Sequence, residues 1–202
     1  MKKTYITVII IAFLLGGIVA ILPPGNNKKE LSPELLLQKI IDDTRFFSAD
    51  EVAHLLISGD PSILLIDVRT PDEFAKFALP GAINIPLDSI LNEGNEYILN
   101  QKTVNNIFYS NGTIYANQAW VLTSRLNYSN NYVLDGGLNN WIETIILPVK
   151  PDITESKEIQ ELYEFRKAAM KYFTGGSEII ETETPEVKIE IKKTEKKQGG
   201  GC

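Results

Sequence analysis

The chain has 202 residues, of which 44% are hydrophobic, and a formal net charge of −6 at pH 7. This fits one globular domain with appendages, and the lack of a basic stripe interleaved with aromatics argues against nucleic acid as a partner. The single cysteine, Cys202, excludes an internal disulfide and a zinc site built on several thiolates. We expect no metal and no other cofactor, and we interpret the single histidine, His54, as a solvent-facing residue of a helix.

The first predicted element is an apolar segment near the N-terminus. Tyr5–Leu22 contains no charged residue, and two prolines follow it. As a helix it would be ~27 Å long, enough for the core of a bilayer. We therefore predict a transmembrane helix that anchors the chain over residues 1–24; a signal peptide cleaved after Ala20 is the alternative. Lys2 and Lys3 favour a cytoplasmic N-terminus, which would place the soluble domain on the extracytoplasmic (periplasmic) side of a single-pass membrane protein.

Residues 25–45 are predicted to be a linker followed by an amphipathic helix. Ser32 and Pro33 suit the N-cap and the first turn of that helix. Its apolar side chains share one stripe, formed by Leu36, Leu37, Ile40 and Ile41. We expect the stripe to pack on the chain's own domain; a membrane-surface or partner-binding helix is the alternative.

Strands and helices alternate over residues 46–150. Phe46 and Phe47 can form a short strand, and Ser48 with Glu51 has the spacing of a capping box that starts a helix. The apolar run Ile63–Val68 is typical of a strand buried on both faces of a parallel sheet. Further strands are predicted at Ala82–Pro86, Asn106–Tyr109 and Tyr132–Leu134, with helices after Thr70 and over Tyr115–Leu126. The alternation predicts an α/β fold, a parallel sheet flanked by helices.

The rest of the chain is predicted to be a helix, over residues 151–176, and a tail. The helix Thr154–Phe173 would place Ile159, Leu162, Phe165, Ala169 and Phe173 on one face, which we expect to pack on the domain, with a dimer contact as the alternative. Residues 177–202 offer too little apolar surface to offset ordering, so we predict a disordered, charged tail. Its glutamates come first and its lysines later, before Gly199-Gly200-Gly201-Cys202, and Val187, Ile189 and Ile191 could form a weak edge strand.

Four stretches of the central region carry a known pattern, and they occur in the order Ile63–Phe74, Leu79–Ile90, Asn106–Trp120 and Tyr132–Trp141. Together they resemble a rhodanese-like domain. The resemblance implies a sulfurtransferase-like site with an anion-binding loop between a strand and a helix N-terminus. It also implies a framework role for Asp67, Arg69, Glu73, Gly81, Gly136, Gly137 and Trp141.

The loop departs from the family pattern at the residue that matters most. Active rhodaneses place a nucleophilic cysteine first in this loop and often a basic residue at its end. Here the loop is Ser110, Asn111, Gly112, Thr113, Ile114 and Tyr115. Ser110 therefore stands at the cysteine position and Tyr115 where arginine is common, while Phe77 and Ala78 stand where the family often has Gly-His. Because a serine hydroxyl needs an adjacent base to act as a nucleophile, we expect Ser110 to be inactive.

These observations leave three functions open. The first is a membrane-anchored pseudoenzyme that handles sulfur as an accessory, or binds an anion or a partner, with Cys202 as a candidate persulfide carrier. The second is an active sulfurtransferase in which Cys202 replaces the loop thiol, and the third is an inert scaffold domain. The expected partners are the membrane, through the N-terminal helix, and a sulfur-transfer or membrane protein.

Overall fold

The structure is a computed structural model that describes residues 2–21 and 30–176. Its helices are α1 (Lys2–Ile21), α2 (Pro33–Ile41), α3 (Ala49–Ser58), α4 (Pro71–Lys76), α5 (Glu96–Leu99), α6 (Thr113–Arg125), α7 (Gly137–Trp141) and α8 (Lys157–Thr174). Its strands are β1 (Phe46–Phe47), β2 (Ile63–Asp67), β3 (Ile83–Asn84), β4 (Asn105–Tyr109) and β5 (Asn131–Leu134). The predicted α/β alternation is confirmed, with shifts of a few residues at the ends of elements.

The five strands form one parallel sheet in the order β1-β5-β4-β2-β3. Strand β4 lies at its centre with β2 beside it, and the side chains of both are mostly buried, which agrees with the apolar run that opens β2 and the one that closes β4. Because all strands run the same way, their carboxyl ends meet at one edge of the sheet. That edge is where the candidate site lies.

Two apolar layers cover the sheet, one on each face. One contains the buried side chains of α3, α7 and the segment after it, together with Ala169 of α8. The other contains the buried side chains of α6 and of the connection between β3 and β4. This connection consists of two 3₁₀ turns (Leu87–Ser89 and Glu93–Asn95) and the short helix α5.

Capping residues fix the starts of α3 and α4. Ser48 and Glu51 form the predicted capping box, and Thr70 and Glu73 form a second one after β2. Gly59, in the left-handed conformation at φ 65°, ends α3. The capping boxes therefore set where the chain leaves β1 and β2.

Helix α2 begins as predicted, with the Ser32 side chain accepting a hydrogen bond from the Leu35 N–H. It contacts α6, and the preceding Leu31 N–H donates to the Arg125 carbonyl at 2.8 Å. However, no residue of α2 is buried, and three of the four stripe residues, Leu37, Ile40 and Ile41, are exposed. The predicted packing of the stripe is therefore wrong for all but Leu36, because a single helix neighbour covers only one side of a nine-residue helix.

Helix α8 begins at Lys157 rather than at the predicted Thr154. The Asp152 side chain accepts a hydrogen bond from the Thr154 N–H at 2.9 Å and closes a turn that keeps these residues out of the helix. The predicted packing on the domain is confirmed for Phe165, Ala169 and Phe173, whereas the side chains nearer the start of the helix are exposed.

His54 is exposed, as predicted, but it also has a packing role. Its ring stacks on Phe165 with a centroid distance of 3.8 Å and an interplanar angle of 7°. Beside it, Arg166 forms a two-pronged ion pair with Asp50. Both contacts join α8 to α3.

The segment after β5 contains two elements that no signal in the sequence indicated. It forms α7 and then a π-helical turn over Ile142–Ile146. Trp141 and Ile145 from this segment are fully buried against the sheet. In a π-helical turn each backbone hydrogen bond spans one residue more than in an α-helix. Because the segment is short and mixes two kinds of helix, its apolar residues follow no single period along the sequence.

Two predictions concern the ends of the chain. Residues 2–21 form a helix as expected. Among residues 2–21 and 30–176, no helix meets the combined length and hydropathy of a membrane span. The anchor over residues 1–24 and the other domain boundaries stay predictions, and the predicted tail and edge strand lie outside the described residues.

Candidate functional site

The candidate site lies at the carboxyl edge of the sheet, where ligands bind in open α/β folds. Asp67 ends β2, Ser110 follows the last residue of β4, and Asn84 ends β3. The Asn84 side-chain amide donates to the carbonyls of Asp67 and Arg69, both at 2.9 Å. These bonds tie the turn after β2 to its neighbouring strand and hold the site residues in place.

The loop after β4 has only three residues before α6 begins. Ser110 is 1% exposed, and its Oγ donates a hydrogen bond to the Gly112 carbonyl at 2.5 Å. Gly112 is the N-cap of α6 and provides no side-chain cap, so side chains leave the first amides of the helix uncapped. The Ser110 hydroxyl is therefore buried and bonded to the backbone of its own loop.

The Gly-Gly turn after β5 supports this loop from behind. The Leu138 N–H donates to the Ser110 carbonyl at 2.9 Å, and the Gly136 N–H donates to the Thr113 hydroxyl at 3.0 Å. Gly137 has φ 59°, and a Cβ there would lie 2.5 Å from the Ser110 carbonyl oxygen. Glycine is required at this position both for the left-handed backbone and for the close approach.

A buried ion pair forms the floor of the site. Arg69 Nη2 lies 2.6 Å from Asp67 Oδ2, and these side chains are 6% and 0% exposed. The same guanidinium donates to the Phe77 carbonyl at 2.6 Å and to Asn111 Oδ1 at 3.1 Å. Hydrogen bonds and the charge of Asp67 outweigh the burial of the guanidinium and raise the pKa of Arg69. One arginine thus joins β2, the turn after α4 and the loop after β4.

Glu73 connects α4 to the same loop. Its carboxylate accepts hydrogen bonds from the Thr70 hydroxyl at 2.8 Å and from Asn111 Nδ2 at 3.0 Å. The Thr70 hydroxyl contributes most to lowering the pKa of Glu73, and Asn111 comes next. The carboxylate is therefore ionised at neutral pH.

Tyr109, the last residue of β4, is fully buried under the turn that leads to β3. Its hydroxyl accepts a hydrogen bond from the Leu79 N–H at 3.2 Å, and burial raises the pKa of Tyr109. The turn continues through Gly81, whose φ of 72° favours glycine. Trp141 is buried on the same face of the sheet and packs edge-on against Phe173.

An open cleft of about 780 Å³ lies in front of the ion pair. Its walls include apolar side chains of Val68, Pro86 and Leu87 and the ring of Tyr115, which is 58% exposed. Two carboxylates, of Glu73 and Asp88, also line it. Arg69 is the lone cation among the described lining residues, and its charge is matched by Asp67. The cleft therefore presents apolar walls and excess negative charge.

The structure brings most of the site residues expected from the sequence together. Asp67, Arg69, Glu73 and Asn111 form one hydrogen-bonded network, whereas Ile114 points away from the domain and is 73% exposed. Ser110 adjoins this network but does not line the cleft. Cys202 lies outside the described residues.

Sequence reasoning missed two residues of the site. Tyr109 has the signature of an ordinary core residue in a strand, so nothing local indicated its role in holding the turn. Asp88 lies within one of the four family stretches, but an isolated carboxylate in a polar connection gave no signal. Both positions acquire their roles only when β3 is placed beside β2.

Comparisons with known proteins agree with the resemblance. Residues 48–144 match the family described as "Rhodanese-like domain". A thiosulfate:glutathione sulfurtransferase of Saccharomyces cerevisiae is 25% identical over 114 residues, which cover 52% of this chain and 82% of that protein. Among solved structures, a human single-domain sulfurtransferase is 27% identical, with a TM-score of 0.41 over 50% of this chain and 97% of that one. A single-domain sulfurtransferase of Saccharomyces cerevisiae is 23% identical, with a TM-score of 0.43 over 55% of this chain and 98% of that one.

Proposed function

Because the chain is a rhodanese-like domain protein, distantly homologous to thiosulfate sulfurtransferases, we propose that it is a sulfur-handling accessory protein. In this proposal the domain binds a partner, and Cys202 carries the sulfur as a persulfide. The alternatives are an active sulfurtransferase that uses Cys202 in turnover and an inert scaffold.

The state of Ser110 carries this proposal. Its hydroxyl is buried and bonded to the Gly112 carbonyl, and no histidine or lysine is among the described residues lining the adjoining cleft to act as its base. A serine oxygen also cannot hold a persulfide. Residues 48–144 contain no cysteine, so a sulfur carried on this chain would be on Cys202.

The proposed step is an ordinary sulfane transfer. The Cys202 thiolate attacks the outer sulfur of thiosulfate, a new S–S bond forms, and the S–S bond of thiosulfate breaks. Sulfite leaves with the electron pair of that bond, and the chain retains one sulfur as a persulfide. A partner thiolate would then take this sulfur and release the Cys202 thiolate.

The charge of the cleft favours a partner over a free sulfur oxyanion as its ligand. Glu73 and Asp88 line the cleft, whereas the charge of Arg69 is matched by Asp67. A dianion entering the cleft would meet net repulsion, since like charges disfavour each other at close range. The uncapped amides of α6 could offset only part of this repulsion.

The test is intact mass spectrometry of the full chain in a nonionic detergent. We expect wild-type protein treated with thiosulfate, or with polysulfide, to gain one sulfur atom that reductant removes. The Cys202→Ser variant, with the domain unchanged, should gain none. An unmodified wild-type chain would refute sulfur carriage and leave the scaffold function.

A second variant, Ser110→Cys, tests the loop itself. With a thiol at the family position, the uncapped amides of α6 can stabilise the developing persulfide. We expect this variant, in a Cys202→Ser background, to gain one sulfur atom from polysulfide. Failure to do so, with the fold intact by circular dichroism, would show that Ser110 is not the residue that separates this domain from active relatives.

We also propose that the N-terminal segment anchors the protein in a membrane, with the domain on the extracytoplasmic side. This rests on the uncharged run Tyr5–Leu22 and on the helix Lys2–Ile21, whose described apolar side chains are exposed. The full chain should remain in the membrane fraction after alkaline carbonate extraction, and protease added to intact spheroplasts should digest the domain. Release by carbonate would contradict the anchor, and protection from protease would contradict the orientation.

A further inference from the structure

The acidic cleft has features that predict the chemistry of its ligand. Glu73 is ionised because hydrogen bonds from Thr70 and Asn111 lower its pKa, and Asp88 is exposed and lines the same cleft. Within the described part of the chain neither carboxylate forms a salt bridge. Tyr115 and Leu87 add apolar surface to the cleft. A cation on a long apolar stem, such as a lysine side chain, satisfies both the charges and the walls.

The chain itself contains a segment of this chemistry. Residues Lys192–Lys197 comprise four lysines, one threonine and one glutamate. The part of the chain before it is acidic, with Glu178, Glu181, Glu183 and Glu186. The acidic cleft would therefore repel the first part of this region and attract the second.

We propose that Lys192–Lys197 docks in the acidic cleft of its own chain, placing lysine ammonium groups on Glu73 and Asp88 and a lysine side chain against the ring of Tyr115. The ring adds a cation–π contact to the two ion pairs. Each contact is weak where solvent reaches it. Tethering compensates, because it gives the segment an effective concentration on the order of millimolar.

The distances allow this docking. Lys192 follows Gly176, the last described residue, by sixteen residues, which can span up to ~50 Å at ~3.3 Å per residue. A domain of this size has a radius of gyration of roughly 15 Å. The segment can therefore reach the cleft from the end of α8 without displacing any element.

Two carboxylates of α8, the helix from which the tail leaves, compete less well for the segment. On α8, Glu161 already pairs with Lys157 at 3.0 Å and Glu164 with Lys167 at 3.9 Å. Their charges are partly matched before any tail lysine approaches. The cleft combines two carboxylates free of salt bridges, within the described residues, with a concave apolar wall.

Docking would have a consequence for sulfur handling. Cys202 follows Lys197 by five residues, up to ~16 Å of chain. A docked segment would hold the thiol near the loop of Ser110 and the uncapped first turn of α6. This consequence rests on the proposed function, whereas docking itself involves no sulfur chemistry and is measured without a sulfur donor.

The experiment is zero-length carbodiimide cross-linking of the full chain in nonionic detergent at low salt, mapped by peptide mass spectrometry. Among the carboxylates of the described domain, we expect the tail lysines to link mainly to Glu73 and Asp88, and these links to fall severalfold at high salt, where exposed charges are screened. Glu143 is the internal control, since it is exposed on the segment that packs on the other face of the sheet. Equal yields at Glu143 and in the cleft would overturn the proposal.

Matched variants sharpen this result. Asp88→Asn should lower the yield of links to Glu73 about threefold, as the loss of one exposed ion pair predicts, whereas Glu143→Gln should leave it unchanged. Replacing both Lys196 and Lys197 by Glu should lower the yield of links to Glu73 further. An unchanged yield in both the Asp88→Asn variant and the double lysine variant would overturn the proposal.

Mixing isotopically light and heavy chains identifies the occupant. Links within one isotope form support docking in the same chain, and mixed-isotope links would show that a second copy occupies the cleft, which would overturn the proposal.

Sulfur loading by Cys202 is read separately by intact mass. A chain that docks but gains no sulfur would contradict the proposed function alone, and a chain that gains sulfur without docking would contradict this inference alone.

Discussion

Replacing Asp67 by asparagine should strongly destabilise the domain. The change keeps the shape of the side chain but removes the negative charge that faces Arg69. Because the two side chains are 0% and 6% exposed, the guanidinium would keep its charge but lose the carboxylate paired with it, and little solvent reaches it to compensate. Breaking a buried ion pair from one side costs about 3–5 kcal/mol, a large part of the roughly 5–15 kcal/mol that stabilises a typical domain.

The chain provides a matched control for this variant. Arg166 and Asp50 form an ion pair of the same geometry, also at 2.6 Å, but these side chains are 29% and 21% exposed. Solvent screens this pair, so Asp50→Asn should cost only about 1 kcal/mol or less. The difference between the two variants isolates the effect of burial.

Urea denaturation followed by tryptophan fluorescence measures both variants, since Trp120 and Trp141 are buried in the domain. Adding Arg69→Met to Asp67→Asn should recover part of the loss, because the unmatched charge is then gone. Equal costs for Asp67→Asn and Asp50→Asn, or simple additivity of Asp67→Asn and Arg69→Met, would refute the reasoning.

Gly137→Ala should cost about 2–4 kcal/mol in urea denaturation, because φ is 59° and the new Cβ would lie 2.5 Å from a carbonyl oxygen of the site loop. Gly175→Ala, at φ 69° in open space, should cost about 1–2 kcal/mol, and equal losses would argue against the close contact. Tyr109→Phe removes the acceptor of the buried Leu79 N–H and should cost about 1–3 kcal/mol; an unchanged midpoint would contradict this role. The pKa of Glu73 is lowered in the folded domain, so its contribution to stability is present above its unfolded pKa and is lost as the pH falls through the folded value. The Glu73→Gln variant should therefore lose less stability than the wild type as the pH is lowered, and identical acid unfolding curves for the two proteins would contradict this expectation.

Ser110 heads a loop whose surroundings are well formed. The loop, the Gly-Gly turn behind it and the ion pair beneath it are all present. Under the proposed function, the side chain at the head of the loop decides whether the loop can hold a sulfur atom. The domain would thus retain a binding architecture while sulfur chemistry moves to another residue of the chain.

Local features of the sequence were sufficient for the strands and for most of the longer helices, but not for α5, α7 or the π-helical turn. Capping boxes, apolar runs of strand length and glycines at turns act over three to six residues, and they predicted α3, α4 and β2 within one or two residues. The parallel arrangement followed from the alternation of strands and helices. The four family stretches placed the loop Ser110–Tyr115 directly after β4, where its first three residues lie, whereas the structure places Thr113, Ile114 and Tyr115 in the first turn of α6.

Tertiary packing alone decided the contacts that give the site its character. Asp67 and Arg69 are near neighbours in sequence, but the Phe77 carbonyl and Asn111 reach the same guanidinium only because β2, β4 and the turn after α4 meet at one edge of the sheet. The negative charge of the cleft arises in the same way, from Glu73 on α4 and Asp88 after β3. The sequence determined which elements form and which residue heads the loop, because those depend on local periodicity and composition. The burial of Ser110, the matched charge of Arg69 and the sign of the cleft depend on distances between residues far apart in the chain, which only the folded structure fixes.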